Sequence, residues 1–134
     1  MNAVGATRGL GSAAAVLLLL LGGAKMGTAS TLGAAEAQFH KSCGTCHTVE
    51  ANAPPRQGPN LRDVIGRKAG TLAGFSYSDA LKAAGAGGLV WNEQNLDRWI
   101  TDAGRFIPGV NMMYRQADPG KRRLVIEYLK SLSK

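Results

Sequence analysis

The strongest helical pattern in the chain lies near its C-terminus. Apolar side chains recur there at spacings of three and four residues, which places them on one face of a helix. They are Leu124, Val125, Tyr128, Leu129 and Leu132. The pattern follows Asp118-Pro119, where an acidic side chain can cap the helix and a proline fits its first position. The sequence therefore predicts an amphipathic helix that starts at Pro119.

Shorter patterns predict two further helices. Residues 34–43 form the first, with Phe39 on its inward face. Asn92 is a suitable cap for the second, which runs to about Thr101. The apolar side of this second helix carries Leu96, Trp99 and Ile100.

Proline and glycine interrupt the chain between these helices. Residues 48–60 contain three prolines and read as a loop, and Pro108-Gly109 ends any regular structure before it. Residues 61–90 predict short helical turns and loops, with residues 80–84 as a candidate helix. No useful stretch alternates apolar and polar residues with a period of two, so the predicted fold class is all-α.

The N-terminal segment has the pattern of an export signal. Arg8 precedes an apolar run over residues 13–21, and Gly27-Thr28-Ala29 offers small residues at a cleavage site. We expect a signal peptide over residues 1–29 and a single domain over residues 30–134. The alternative is an uncleaved membrane anchor, but the apolar run is only about a dozen residues, against roughly 20 needed to span a bilayer.

Composition adds two constraints. The expected mature chain of about 105 residues is small and only 6% of the sequence is aromatic, which fits a core completed by a large apolar prosthetic group. The formal net charge is +7, and loss of Arg8 and Lys25 with the signal lowers it to +5. This excess favours acidic protein partners, although the densest basic run, residues 121–123, also suits a solvated helix start. Nucleic-acid binding is not expected, because no recognition motif accompanies the charge.

The sequence Cys43-Gly44-Thr45-Cys46-His47 is the attachment signature of c-type haem. Residues three and four apart share one face of a helical turn, so Cys43 and Cys46 can each form a thioether with the same porphyrin. His47 is then placed to bind the iron. Because bacteria attach haem to this motif outside the cytoplasm, the motif and the signal together predict export to the periplasm.

Haem iron has a second axial position, and few side chains after residue 29 can fill it. The candidates are His40, Met112 and Met113. His40 lies three residues before Cys43 on the same predicted helix and is poorly placed to reach the other haem face. The loop after Pro108-Gly109 can wrap around, so the residues favour one of the two methionines.

The chain resembles class I cytochromes c, close to the mitochondrial cytochrome c and bacterial cytochrome c2 subgroup. The resemblance covers nearly all of residues 33–130. Its motifs are Phe39, Cys43-Gly44-Thr45-Cys46-His47, Gly58-Pro59-Asn60-Leu61, Gly66-Arg67-Lys68-Ala69-Gly70, Phe75-Ser76-Tyr77, Trp91, Ile107-Pro108-Gly109-Val110-Asn111-Met112 and Arg123-Leu124-Val125-Ile126-Glu127-Tyr128-Leu129-Lys130. It implies the small cytochrome c fold, with N- and C-terminal helices packed together around one covalently bound haem c.

The resemblance also implies roles for single residues. Met112 matches the sulfur ligand, so that His47 and Met112 are the two metal ligands. Pro59 matches the proline whose carbonyl accepts the other ring N–H of the proximal histidine. Tyr77 and Trp91 match donors to a haem propionate, and Arg67 matches the arginine beside it. Phe39 matches an aromatic residue that packs on the last helix, and Trp99 replaces a tyrosine that is frequent at its position.

An iron with both axial positions filled predicts a soluble monohaem electron carrier and not an enzyme. Such a carrier moves single electrons between a membrane redox complex or dehydrogenase and a terminal acceptor, namely an oxidase, a reductase or a photosynthetic reaction centre. We expect a monomer that meets redox partners with acidic docking surfaces. It would meet membranes only through those partners, unless residues 1–29 remain attached.

Three other functions are less well supported by the sequence. A peroxidase-like haem enzyme needs an open distal site with an acid–base residue, and His40 is the only spare histidine. A zinc site built from His40, Cys43, Cys46 and His47 has unusually tight spacing. A thioredoxin-like role for the two cysteines lacks the preceding strand.

Overall fold

A computed structural model describes residues 27–134 of the chain. The predicted signal peptide therefore lies almost entirely outside the described residues. Within the described range there are five helices: α1 Gly27–Ser42, α2 Asp79–Ala86, α3 Glu93–Thr101, α4 Ala103–Phe106 and α5 Pro119–Ser131. Extended pairing in this range is limited to the isolated bridges of Lys68 with Val90 and of Asp102 with Arg115. The all-α prediction is confirmed.

The first and last helices cross and form the centre of the fold. Phe39 of α1 is fully buried, and its ring lies 5.1 Å from the ring of Tyr128 on α5. The Tyr128 hydroxyl also donates to a carboxylate oxygen of Glu36 over 3.3 Å. This contact confirms the predicted packing of the N- and C-terminal helices. It also fixes the end of α1, directly before Cys43.

Helix starts follow the capping residues. The Asp118 carboxylate accepts from the backbone N–H groups of Gly120 and Lys121, and Asn92 accepts from Asn95. Both predicted starts are confirmed. Ser78 caps α2 in the same way, which makes that helix longer than the predicted residues 80–84.

Two helix boundaries differ from the prediction. α1 begins at Gly27 and not at residue 34, because Gly33 lies inside the helix without ending it; one internal glycine lowers helix stability by only about 1 kcal/mol. α4 was not predicted from the sequence. Asp102 ends α3 and at once caps this single new turn, accepting from the N–H of Arg105 over 3.0 Å.

The segment from Val49 to Ser78 contains no helix and runs as turns and loops, as its prolines and glycines predict. Among the described residues, no helix combines the length and the apolar character needed to cross a bilayer.

Candidate haem-binding site

The two cysteines and His47 share one turn that continues from the end of α1. The N–H of Cys46 donates to the Cys43 carbonyl over 3.0 Å, and the N–H of His47 donates to the same carbonyl over 2.9 Å. Neither cysteine is in a disulfide, and both are half-buried. The turn therefore brings Cys43, Cys46 and His47 together, as their spacing predicts.

The Cys43 thiol lies in a protected environment. Burial, with a further contribution from Cys46, raises the pKa of Cys43 to about 12. The free side chain therefore remains a thiol at neutral pH. Cys46 is oriented by a neighbour, since its Sγ lies 3.0 Å from Oε1 of Gln57.

One hydrogen bond fixes the His47 ring. Its Nδ1 lies 2.8 Å from the carbonyl oxygen of Pro59. A carbonyl can only accept, so Nδ1 carries the proton and Nε2 keeps a free lone pair. Burial lowers the pKa of His47, although the Pro59 carbonyl acts in the opposite direction. The ring is therefore a neutral, oriented donor for a metal ion.

Gly58 allows the loop to approach the ring. A Cβ atom placed on Gly58 would lie 2.2 Å from Cε1 of His47. The Gly58 N–H also donates to the Cys46 carbonyl over 2.8 Å, and Arg56 donates to the Gly44 carbonyl. Neither contact was predicted from the sequence, in which Gly58 stands only as part of a motif and Arg56 has no assigned role. The Gly58-Pro59 pair is the feature of the sequence that could have indicated this close contact.

Arg67, Tyr77 and Trp91 lie in one region of the site. The half-buried Arg67 guanidinium donates to the carbonyls of Asn60 and Arg62. The backbone N–H of Trp91 donates to the Arg67 carbonyl over 2.9 Å, which holds the two residues side by side. Burial raises the pKa of Tyr77, and the nearby Arg67 charge counters this effect. The three predicted propionate-binding residues are thus neighbours.

Two tryptophan rings pack together in the core. Trp91 and Trp99 are each 7% exposed, with ring centroids 5.3 Å apart and an interplanar angle of 55°. Within residues 31–134, neither indole N–H donates a hydrogen bond, and neither nitrogen is sealed from solvent, because no buried side-chain nitrogen or oxygen in this range lacks a partner. Indole N–H groups usually find an acceptor. Both groups therefore remain available to an acceptor on a bound molecule.

The two adjacent methionines have different environments. Met112 is half-buried and packs against the hydrophobic core, whereas Met113 is 82% exposed. The Met113 sulfur lies 4.0 Å from the position of a Cβ on Gly104, at the start of α4. Of the two thioethers, only the one on Met112 faces the interior.

The third ligand candidate, His40, lies beside the cysteine turn, where its carbonyl accepts from the N–H of Gly44 over 3.3 Å, but its side chain is exposed. His40 pairs with Glu36 over 3.8 Å, and its side chain is 53% exposed on α1. Its ring packs near Phe39 and Tyr128. In the described part of the chain, no group of three or more His, Cys, Asp or Glu side chains is arranged to hold a metal ion, so the zinc alternative has no structural support.

Comparisons with known proteins agree with this geometry. The family described as "Cytochrome c" matches residues 33–133. The chain belongs to the cytochrome c family. It is 38% identical to cytochrome c-550 of Novispirillum itersonii over 104 residues, which cover 72% of this chain and 94% of that protein. It is 35% identical to cytochrome c2 of Rhodomicrobium vannielii over 120 residues, which cover 86% and 94% of the two chains.

A solved cytochrome c has the same fold. The structure of cytochrome c2 from Rhodospirillum centenum aligns with a TM-score of 0.73 at 33% identity and covers 77% of this chain and 98% of its own. As in its family, this cytochrome c binds haem c covalently through its cysteine pair, Cys43 and Cys46. Family membership supports a monohaem electron carrier that acts with partner proteins.

The residues present fit this cofactor. The Cys43–Cys46 turn provides two thiols on one side, and His47 provides an oriented nitrogen. Arg67 supplies a positive charge, and the Trp91 indole supplies a free N–H donor for a carboxylate group. The site therefore combines the donor types that an anionic iron porphyrin requires.

Proposed function

We propose that this cytochrome c is a soluble carrier of single electrons in which His47 and Met112 would bind the haem iron. The observation that carries the proposal is the hydrogen bond between His47 Nδ1 and the Pro59 carbonyl, which leaves one lone pair for a metal. When bound, haem c supplies an iron that exchanges one electron. The half-buried thioether of Met112 is the second ligand.

Two side-chain ligands on the iron would favour a carrier over an enzyme. A carrier needs a metal whose ligands stay in place while its charge changes. A peroxidase-like site needs an open position and an acid–base residue beside it. His40, the other histidine of the domain, pairs with Glu36 on the surface of α1. This arrangement supports electron transfer and not catalysis.

We propose that Arg67, Tyr77 and Trp91 hold a propionate of the haem. The cation and the two aromatic donors lie close together, and the Trp91 indole N–H has no other acceptor within the described residues. A carboxylate in a half-buried site needs a cation and hydrogen-bond donors to offset the loss of its water.

The proposed partners are redox proteins with acidic docking surfaces. Lys41, Arg56, Arg105 and Arg123 are exposed, and none is in an ion pair among the described residues. Charge steering of this kind speeds encounters between proteins that bind weakly. The carrier is proposed to work in the periplasm as a monomer, between a membrane complex or dehydrogenase and a terminal acceptor.

The absorption spectrum of the haem-loaded protein tests the ligand assignment. A weak band at the red end of the oxidised spectrum reports a bond between sulfur and iron. We expect Met112→Ala to abolish this band and to lower the reduction potential. Met113→Ala is the matched control and should keep both properties. If only Met113→Ala lost the band, the sulfur ligand would be Met113 and not Met112. If the unaltered protein lacked the band, the proposal would be contradicted.

A further inference from the structure

The segment that follows Met112 is fixed to α3 and α4 by backbone hydrogen bonds. The N–H of Ala103 donates to the Tyr114 carbonyl over 3.2 Å, and the N–H of Gln116 donates to the Ile100 carbonyl over 2.9 Å. These bonds hold the backbone two to four residues beyond Met112. They leave the carbonyls of Gln116 and Ala117 as acceptors for another group.

Arg122 binds those two carbonyls. Its Nη1 donates to the Gln116 carbonyl over 3.0 Å and to the Ala117 carbonyl over 2.9 Å. Its Nε donates to Oδ1 of Asp97 on α3 over 2.7 Å. One side chain of α5 therefore joins α3 to the end of the Met112 segment.

The Arg122 side chain is largely buried, so its hydrogen bonds are shielded from water. The Arg122 side chain is 13% exposed, whereas the neighbouring Arg123 is exposed and has no ion pair in the described part of the chain. Hydrogen bonds to charged groups stabilise a fold more when they are shielded from water than when they are exposed. Loss of Arg122 would leave a carboxylate and two carbonyls without their donor. The expected result is a looser segment after Met112.

We propose that Arg122, oriented by Asp97, is a positioning residue that holds the Met112 thioether at the iron. It acts through the carbonyls of Gln116 and Ala117 and touches neither the ligand nor the cofactor. This inference rests on the proposed role of Met112. It gives a specific function to one residue of the basic run 121–123. From the sequence alone, this run suited either a docking surface or a solvated helix start.

Competition by imidazole tests the inference in the haem-loaded, oxidised protein. Imidazole replaces the sulfur at the iron, so its apparent affinity measures how firmly the thioether is held; the red absorption band follows the exchange. We expect Arg122→Gln to bind imidazole about tenfold more tightly than the unaltered protein, which corresponds to about 1.4 kcal/mol. Asp97→Asn, which retains the guanidinium, should give a smaller increase.

Two control variants separate positioning from general loosening. Arg123→Gln removes the same charge from the next residue and should leave the imidazole affinity unchanged. Lys130→Gln removes the other α3–α5 ion pair, to Glu93 over 2.8 Å, without touching the Met112 segment. It should also leave the affinity unchanged.

The outcomes are distinct. An unchanged affinity in Arg122→Gln, or an equal increase in Lys130→Gln, would overturn the inference. If Arg122→Gln does not fold, Arg122→Lys and Asp97→Asn provide the same comparison with milder changes. Failure of the proposed function itself would appear differently, because the unaltered protein would then lack the red band.

Discussion

At the scale of single residues, His47 depends on its neighbours for orientation. The Pro59 carbonyl assigns the proton to Nδ1, and Gly58 leaves room for the ring. Neither effect involves a reactive side chain. The metal-binding character of His47 therefore comes from the backbone of the 58–59 turn as much as from the imidazole.

Gly58→Ala tests this dependence. The new Cβ would lie 2.2 Å from Cε1 of His47, so the ring or the turn has to move. We expect the free energy of unfolding of the haem-loaded protein, measured in denaturant, to fall by about 2–3 kcal/mol, which is in the upper range for overpacking. Gly33→Ala is the control, because nothing lies within 4 Å of its new Cβ. Equal stability of the two variants would contradict the proposed contact.

Residue types and spacing predicted much of the candidate site. Cys43, Cys46 and His47 were predicted from their spacing alone, because five consecutive residues carry the whole motif, and family membership confirms haem attachment through the two cysteines. The choice between Met112 and Met113 needed the family resemblance, since both have the same chemistry and differ in burial only after folding. The proposed role of Arg122 was not predictable, because two of its three acceptors are backbone carbonyls, which leave no trace in the sequence.

At the scale of secondary structure, capping residues made α3 and α5 predictable. Asn92 and Asp118 mark the first turns through side-chain contacts that are local in sequence. α4 was missed because Asp102 serves two helices at once and only a single turn follows it. The prediction placed the start of α1 at residue 34, whereas the helix begins at Gly27, because no capping residue or proline marks its first turn.

The contact between α1 and α5 predicts a response to alkaline pH. Burial, followed by the charge and hydrogen bond of Glu36, raises the pKa of Tyr128. The folded protein therefore keeps the hydroxyl proton to higher pH than the unfolded chain does. The resulting stabilisation is complete below about pH 10, the ordinary value for tyrosine, and is lost as the pH rises through the folded pKa.

Tyr128→Phe removes this titration and the hydrogen bond to Glu36. We expect the variant to be less stable than the unaltered protein at pH 8 by about 1 kcal/mol. The difference in the free energy of unfolding should shrink as the pH rises above about 10. Denaturant titrations over that range measure it, with Tyr114→Phe as a control that leaves the α1–α5 contact intact. A difference that stays constant with pH would refute the link to Tyr128.

At the scale of the whole molecule, ion pairing changes how the net charge of +7 is distributed. Among residues 31–134, five lysine and arginine side chains pair with carboxylates. They are Lys82, Arg115, Lys121, Arg122 and Lys130. Fewer unpaired cations are therefore available to steer a partner than the composition suggests. Composition gave the sign of the surface charge but not its location.

Electron transfer to an acidic partner should slow as salt is added, because counterions screen exposed charges. Arg105 follows Gly104, where an added Cβ would lie 4.0 Å from the sulfur of the exposed Met113, whereas Lys134 lies beyond the end of α5. We expect Arg105→Gln to lower the association rate several-fold at low salt and Lys134→Gln to have little effect. Stopped-flow kinetics over a range of ionic strength measure both. Rates that do not vary with salt would remove the steering proposal.

The meeting of Phe39 and Tyr128 also sets an order of events in synthesis. The two residues stand near opposite ends of the domain, so their rings can touch only after α5 has been translated. Until then α1 has no surface to pack against, and a short isolated helix is marginal in water. We therefore expect haem attachment to Cys43 and Cys46 to precede the docking of α5, on an exported chain whose core is not yet closed and whose thiols are still accessible.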